Sequence, residues 1–209
     1  YAGFSKGKAC MVYRKSENLN GGIKMNLHVT DPEFMERFEH FAFEEVPNEE
    51  GQQLDDKTRY MAILATLIGC QGIEEYRLVL SRALDAGIMP VVVKEIVYQA
   101  VDYLGIGRVL PYLEASNSIL ESRGIELPLE GQCTTTTENR LKKGIQAQAD
   151  IFGEHMKEAW KAGHINRWLA ANCFGDYYTR TGLDLAQREM ITFCFLAAQG
   201  GCEPQLIAH

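Results

Sequence analysis

The chain has 209 residues, with 21 Lys and Arg against 28 Asp and Glu and a formal net charge of -7 at pH 7, a balance that argues against nucleic acid or anionic membrane as partners of its bulk surface. Hydrophobic content of 46% and charged content of 23% are those of a globular protein, and the length suits one large domain or two small ones. No apolar run approaches the roughly 18 residues of a membrane span.

The opening stretch YAGFSKGKACMVY has no apolar signal-peptide region. It also lacks an initiator methionine, which leaves open a removed targeting segment; a cytoplasmic location is the expectation. Residues 1–30, which include KSENLNGGIKMN, are weakly patterned and read as an arm. TDPEFMERFEHFAFEEV then opens a helix, with Thr30 or Asp31 as cap, Pro32 in the first turn, and Phe34, Phe38, Phe41 and Val46 at helical spacing. Those aromatics, with Phe43, suit a core or an interface; no basic residues flank them as a nucleobase platform would require. PNEEGQQ is a loop. LDDKTRYMAILATLIGC is a helix capped by Asp55 or Asp56, with a nearly all-apolar and therefore buried body.

GIEEYRLVLSRALDAG is the next helix, ending at Gly87. MPVVVKEIVYQAVDYLG follows; the spacing of Val92, Ile96, Gln99 and Tyr103 favours helix over the strand that its valine run suggests. GRVLPYLEASNSILESRG is a further helix, kinked or started at Pro111, and IELPLEGQCTTTT is a linker. ENRLKKGIQAQADIFGEHMKEAW is amphipathic, with a break expected at Gly153. HINRWLAANCFGDYYTRTG is a helix and turn, LDLAQREMITFCFLAAQGG a buried helix capped by Asp184, and EPQLIAH starts one more at Pro204.

Two of these helices repeat. LDDKTRYMAILATLIGCQG aligns without gaps on LDLAQREMITFCFLAAQGG, so that Leu54, Asp55, Arg59, Met61 and Gly72 recur as Leu183, Asp184, Arg188, Met190 and Gly201. Apolar positions match by chance in any two buried helices, but a capping Asp, an Arg and a Gly at fixed offsets point to a tandem. The expected organisation is an arm at 1–30, a first repeat at 31–126, a linker at 127–137 and a second, incomplete repeat at 138–209.

FGDYYTRTGLDLAQREMITFCFLAAQGGCEPQLIAH resembles the carboxymuconolactone decarboxylase family in its tandem form. ALDAGIMPVVVKEIVYQAVDYLGIGRVL supports the resemblance, with Glu95, Gln99, Tyr103 and Gly105 at the family's spacing, as does RLKKGIQAQADIFGE as an opening helix. The resemblance implies an all-α, AhpD-like fold, a homo-oligomer of trimer or hexamer type, no cofactor, and a carboxy-lyase acting on a small acidic organic substrate. Carried over, Glu189 falls at the family's helix glutamate, Cys202 at the first cysteine of the peroxidase branch, and His209 at its histidine. Gln205 departs from the peroxidase pattern by occupying the second cysteine position.

The residues allow two further readings. Cys202 could serve a thiol antioxidant of peroxiredoxin type, although resolution of a sulfenic acid needs a second thiol. The chain could also be a non-catalytic oligomeric member, because no titratable pair occupies the matching positions of the first copy. Glu189 is either a proton-transfer group with His209 or an ion-pair partner of Arg188 or Arg180. Cys202 is either reactive at a helix start or a filler of a tight Gly-Gly-Cys turn. Tyr177, Tyr178 and Arg180 either line a pocket for an acidic substrate or pack a turn. The six cysteines contain no Cys-x-x-Cys and no zinc spacing, so free thiols and no metal are expected.

Overall fold

The computed structural model describes residues 26–51 and 54–209. Of these, 76% are helical and none lies in a strand. No helix among them is long and apolar enough to cross a membrane. The bulk of the expected N-terminal arm, residues 1–25, lies outside the described residues, as do Gln52 and Gln53 of the expected loop. The chain divides into a unit ending at Gln53 and a larger unit from Leu54 to His209.

In the first unit, Asn26 caps a single turn, α1 (Leu27–Thr30), by accepting from the His28 N–H. Pro32 then occupies the first turn of α2 (Pro32–His40), where a missing N–H costs nothing. The helix widens into a π-type turn at Phe41–Glu45 and closes in α3 (Val46–Asn48). Phe34 stacks on Phe38, and Phe38 meets the edge of Phe43. Met35 is buried, while Phe34, Phe38 and Phe41 are exposed. The helical spacing therefore makes an aromatic stripe on the surface rather than a core.

The second unit begins with α4 (Asp56–Gly69). Asp55 caps it by accepting from the Thr58 N–H at 3.0 Å. α5 (Ile73–Asp85) stops where Gly87 takes φ +90°, and α6 (Pro90–Leu104) where Gly105 takes φ +82°. Both are the left-handed stops that the sequence predicts. α7 (Ile106–Ser122) differs: it starts at Ile106 and carries Pro111 inside its second turn. The proline lies close enough to the N-terminus for few carbonyls to be left unpaired.

Residues 125–136 are irregular. α8 (Arg140–Phe152) ends at Gly153, as expected, and a tighter 3-10 stretch, Glu154–Ala162, follows. α9 (His164–Trp168) runs directly into a ten-residue π-type segment, Leu169–Tyr178. α10 (Leu185–Gln199) opens with a reciprocal capping box between Asp184 and Gln187. α11 (Glu203–Ala208) starts after the Gly200–Gly201 turn, with Pro204 in its first turn.

One core joins α4, α5, α6 and α7 to α10, with Leu64, Ile68, Tyr76, Leu80, Val93 and Ile96 packed against Leu183, Ile191 and Phe195. α4 and α10, the segments matched by the sequence repeat, lie directly on each other. Their approach is close because Gly69 has no side chain: a Cβ there would sit 2.7 Å from the Phe195 carbonyl oxygen. A smaller cluster joins Ala147 of α8 to Cys173, Phe174 and Tyr178. Here the approach is closer still. A Cβ on Gly144 would lie 1.7 Å from Ala170 O, and one on Gly175 would lie 2.3 Å from Arg140 O. Two glycines thus let α8 and the Leu169–Tyr178 segment meet backbone to backbone, and this contact fixes where Cys173 and Tyr178 point.

Candidate active site

α6 carries Glu95, Gln99 and Tyr103, spaced four residues apart and so on one face. α10 answers with Arg188 and Thr192, also four apart. The two rows interlock. Arg188 Nη2 donates to Glu95 Oε2 at 3.0 Å and Nη1 donates to Gln99 Oε1 at 3.0 Å. Gln99 Nε2 donates to Thr192 Oγ1 at 3.4 Å. Tyr178 OH lies 3.2 Å from Thr192 Oγ1 and 3.0 Å from Tyr103 OH.

Arg188 is 0% exposed and Glu95 1%, so this ion pair is taken wholly out of water. Such a pair is costly unless the remaining donors are also used; Nη1 and Nη2 of Arg188 are used, whereas its buried Nε has no hydrogen-bond partner among the described residues. Arg188 Nη2 donates to the carbonyl of Arg180 at 3.0 Å as well. Arg180 grips the same carboxylate from the other side, with Nε and Nη2 each 2.9 Å from a Glu95 oxygen. Glu95 therefore carries two arginines. The alternative reading of Glu189 as an ion-pair partner of Arg188 or Arg180 is corrected by this arrangement, since both arginines serve Glu95.

Glu189 points the other way. Its Oε2 lies 2.7 Å from His209 Nδ1, which joins the second turn of α10 to the end of α11. Both groups are largely enclosed, with side chains 19% and 9% exposed. Aromatic edges wall the imidazole: the Tyr103 and Phe152 ring centres lie 5.5 and 5.7 Å away. Glu189 Oε1 is buried and has no hydrogen-bond partner among the described residues.

Tyr178 and Cys173 complete the surroundings. Burial pushes the Tyr178 hydroxyl well above the ordinary tyrosine range, and the charge of Glu189 adds to the rise. Burial and the neighbouring Cys173 and Tyr178 do the same to Tyr103. The Cys173 thiol is pushed up by burial and by Asp102, and it donates to Tyr103 OH at 3.6 Å. All three groups stay protonated at neutral pH. The tyrosines are hydrogen-bond donors there, and Cys173 is a poor nucleophile.

The residues expected at the site thus fall in four places. Glu189, His209 and Tyr178 come together. Arg180 lies against Glu95, with its guanidinium carbon 5.1 Å from the centre of the Tyr98 ring. Tyr177 is half-buried, and burial followed by the charge of Asp102 raises its hydroxyl. Cys202 caps α11, and its Sγ donates to Leu196 O at 3.4 Å. Tyr103 and Thr192 are not among the expected site residues, although the four-residue spacing of Glu95, Gln99 and Tyr103 on α6 is visible in the sequence.

An imidazole held at Nδ1 by a carboxylate has its Nε2 left for other work, and the pair can carry a proton between two positions. Phenolic donors beside it can hold a developing oxyanion. Comparison with curated proteins gives no match. A family model, described as Carboxymuconolactone decarboxylase family, matches residues 32–116. The match takes in Glu95, Gln99 and Tyr103, whereas Glu189 and His209 lie C-terminal to it. Over residues 32–116 the chain is therefore similar to the carboxymuconolactone decarboxylase family, and its all-α fold is consistent with the AhpD-like type.

Proposed function

We propose that the Glu189–His209 pair is the proton-transfer centre of a carboxy-lyase that removes CO2 from a small carboxylated lactone. The observation that carries this reading is the 2.7 Å contact between Glu189 Oε2 and His209 Nδ1 in an enclosed, aromatic-walled setting. The family domain supports the relationship at the level of the family.

In the proposed reaction the bond between the ring carbon and the substrate carboxylate breaks and CO2 leaves. The electron pair passes into the conjugated lactone carbonyl, giving an enolate. Tyr178 or Tyr103 donates a hydrogen bond to the enolate oxygen. The imidazolium of His209 delivers a proton to the ring carbon, and solvent returns one proton to His209. One proton is consumed per turnover, and no oxidant or reductant is needed. Glu189 holds the imidazole in the orientation that presents Nε2.

A test is the decarboxylation of carboxymuconolactone by the parent and by Glu189→Gln. General acid catalysis contributes about 100- to 10,000-fold, so we expect kcat to fall by at least about 100-fold. Equal rates for the two proteins would remove Glu189 from the mechanism. The thiol reading has less support: the Cys202 sulfur is turned to the Leu196 carbonyl, and Gln205 stands where a resolving thiol would.

A further inference from the structure

Val91, Lys94, Glu95 and Tyr98 follow one another at helical spacing and share a face of α6. This face, with Asn117 of α7, Arg180 and the irregular residues 127–132, lines a cavity of about 370 Å3. Glu189 and His209 do not line it. The volume lies in the range of small-molecule sites.

The cavity has positive charge without an internal partner. Lys94 is only 9% exposed. Its one side-chain hydrogen bond among the described residues goes to Asn117 Oδ1, at 2.5 Å. Burial pulls its pKa below the ordinary lysine value. The adjacent Glu95 cannot neutralise it, because both oxygens of that carboxylate are taken by Arg180 and Arg188. The triad of Glu95 and two arginines is itself left with one net positive charge. Lys94 Nζ lies 5.4 Å from the centre of the Tyr98 ring, and the Arg180 guanidinium carbon lies 5.1 Å from the same centre. Two cations are thus gathered on one half-buried ring. Glu121 and Glu130 also line the cavity, but both are exposed, where water and salt weaken their influence.

The remaining wall is apolar: Val91 on one side, with Leu127, Pro128 and Leu129 on the other. A site of this kind suits an anion attached to an apolar body. It suits a carboxylate better than a free phosphate. Phosphate recognition draws on a free arginine fork, and two of the three nitrogens of Arg180 are already committed to Glu95.

We propose that this cavity is a binding site for a small organic carboxylate, with its anion held by Lys94 and Arg180 and its apolar body on Tyr98 and the Leu127–Leu129 wall. The site is separate from the Glu189–His209 pair and does not depend on the lyase reading.

Titration with benzoate, followed by amide NMR shifts, tests it. Shifts should map to residues 91–98 and 127–132. Affinity should fall at least tenfold in Lys94→Met, which keeps the apolar stem, and should be unchanged in Glu189→Gln. Benzamide and inorganic phosphate should each bind at least tenfold more weakly than benzoate. Equal benzoate affinity in Lys94→Met would overturn the proposal. So would shifts confined to residues 189–209, or benzamide or phosphate binding as tightly as benzoate. If Lys94→Met does not fold, the shift map and the two control ligands on the unmodified protein decide the matter.

Discussion

Replacing Glu95 with Ala should be among the most damaging single changes in the chain. Glu95 carries two arginines, and one of them, Arg188, is 0% exposed. Without the carboxylate, Arg188 keeps only neutral acceptors: Gln99 Oε1 and the carbonyls of Arg180 and Thr181. Arg180, at the cavity wall, can turn to water; Arg188 cannot. Removing one partner of a buried pair costs about 3–5 kcal/mol, because the other charge is left uncompensated. That is a large part of the roughly 5–15 kcal/mol that keeps a domain folded. For a chain of this size, about 2–4 °C per kcal/mol gives a fall in Tm of roughly 6–20 °C. The assay is urea unfolding, with a double-variant cycle. Glu95→Leu combined with Arg188→Met removes both charges and leaves similar volume, and should recover most of the loss. A loss below about 1 kcal/mol for Glu95→Ala, the level of a surface pair, would refute the reasoning. A double variant no more stable than the single would refute it as well.

Three other outcomes follow from the geometry. Gly144→Ala should destabilise by at least about 1–3 kcal/mol, the usual cost of overpacking, because the new methyl would meet the Ala170 carbonyl, which belongs to backbone and cannot rotate aside; an unchanged urea midpoint would show that α8 does not lie so close. Tyr76, Tyr103 and Tyr178 have folded pKa values raised by burial, so above pH 10 the unfolded chain releases protons that the folded one keeps. Their stabilising contribution is complete below pH 10 and is lost as pH rises toward the folded values, by roughly 4 kcal/mol for the three at pH 11; a flat urea midpoint from pH 8 to 11 would contradict their burial. Turnover of organic peroxide should be slow and unaffected by Cys202→Ser, and rapid turnover abolished by that change would favour the thiol reading.

Much of the helical layout is legible in the sequence because punctuation is local. Asp55 and Asp184 start helices, and Gly87, Gly105 and Gly153 stop them, each through its own backbone geometry. Pro111 misleads because its effect depends on how near the helix start lies, which spacing alone does not reveal. The contact between Glu189 and His209 follows from a short turn between successive helices. The role of Arg188 does not follow so readily. Arg59 occupies the matching position in the repeat, yet it pairs with Asp56 near the surface, while Arg188 is sealed in the core. The difference is made by the residue across the interface, Glu95, which lies distant in sequence. The exposed phenylalanines of α2 show the same limit: periodicity identifies a stripe but not what covers it.

The wide helical segment at Leu169–Tyr178 has a consequence for how this chain can change in length. In a π-type segment each N–H reaches five residues back, one more than in an α-helix. A wide turn therefore holds one residue more than an α-helical turn, and a deletion there can be taken up by closing that turn to the commoner form. In an ordinary helix such as α10 the same deletion has nothing to take it up, and everything beyond it would swing by about 100°, the angle of one α-helical step. The irregular stretch at 125–136 has no ladder to disrupt. Single-residue deletions should therefore be tolerated between α7 and α8, absorbed better between Leu169 and Tyr178 than inside α10, and most damaging in α10 itself.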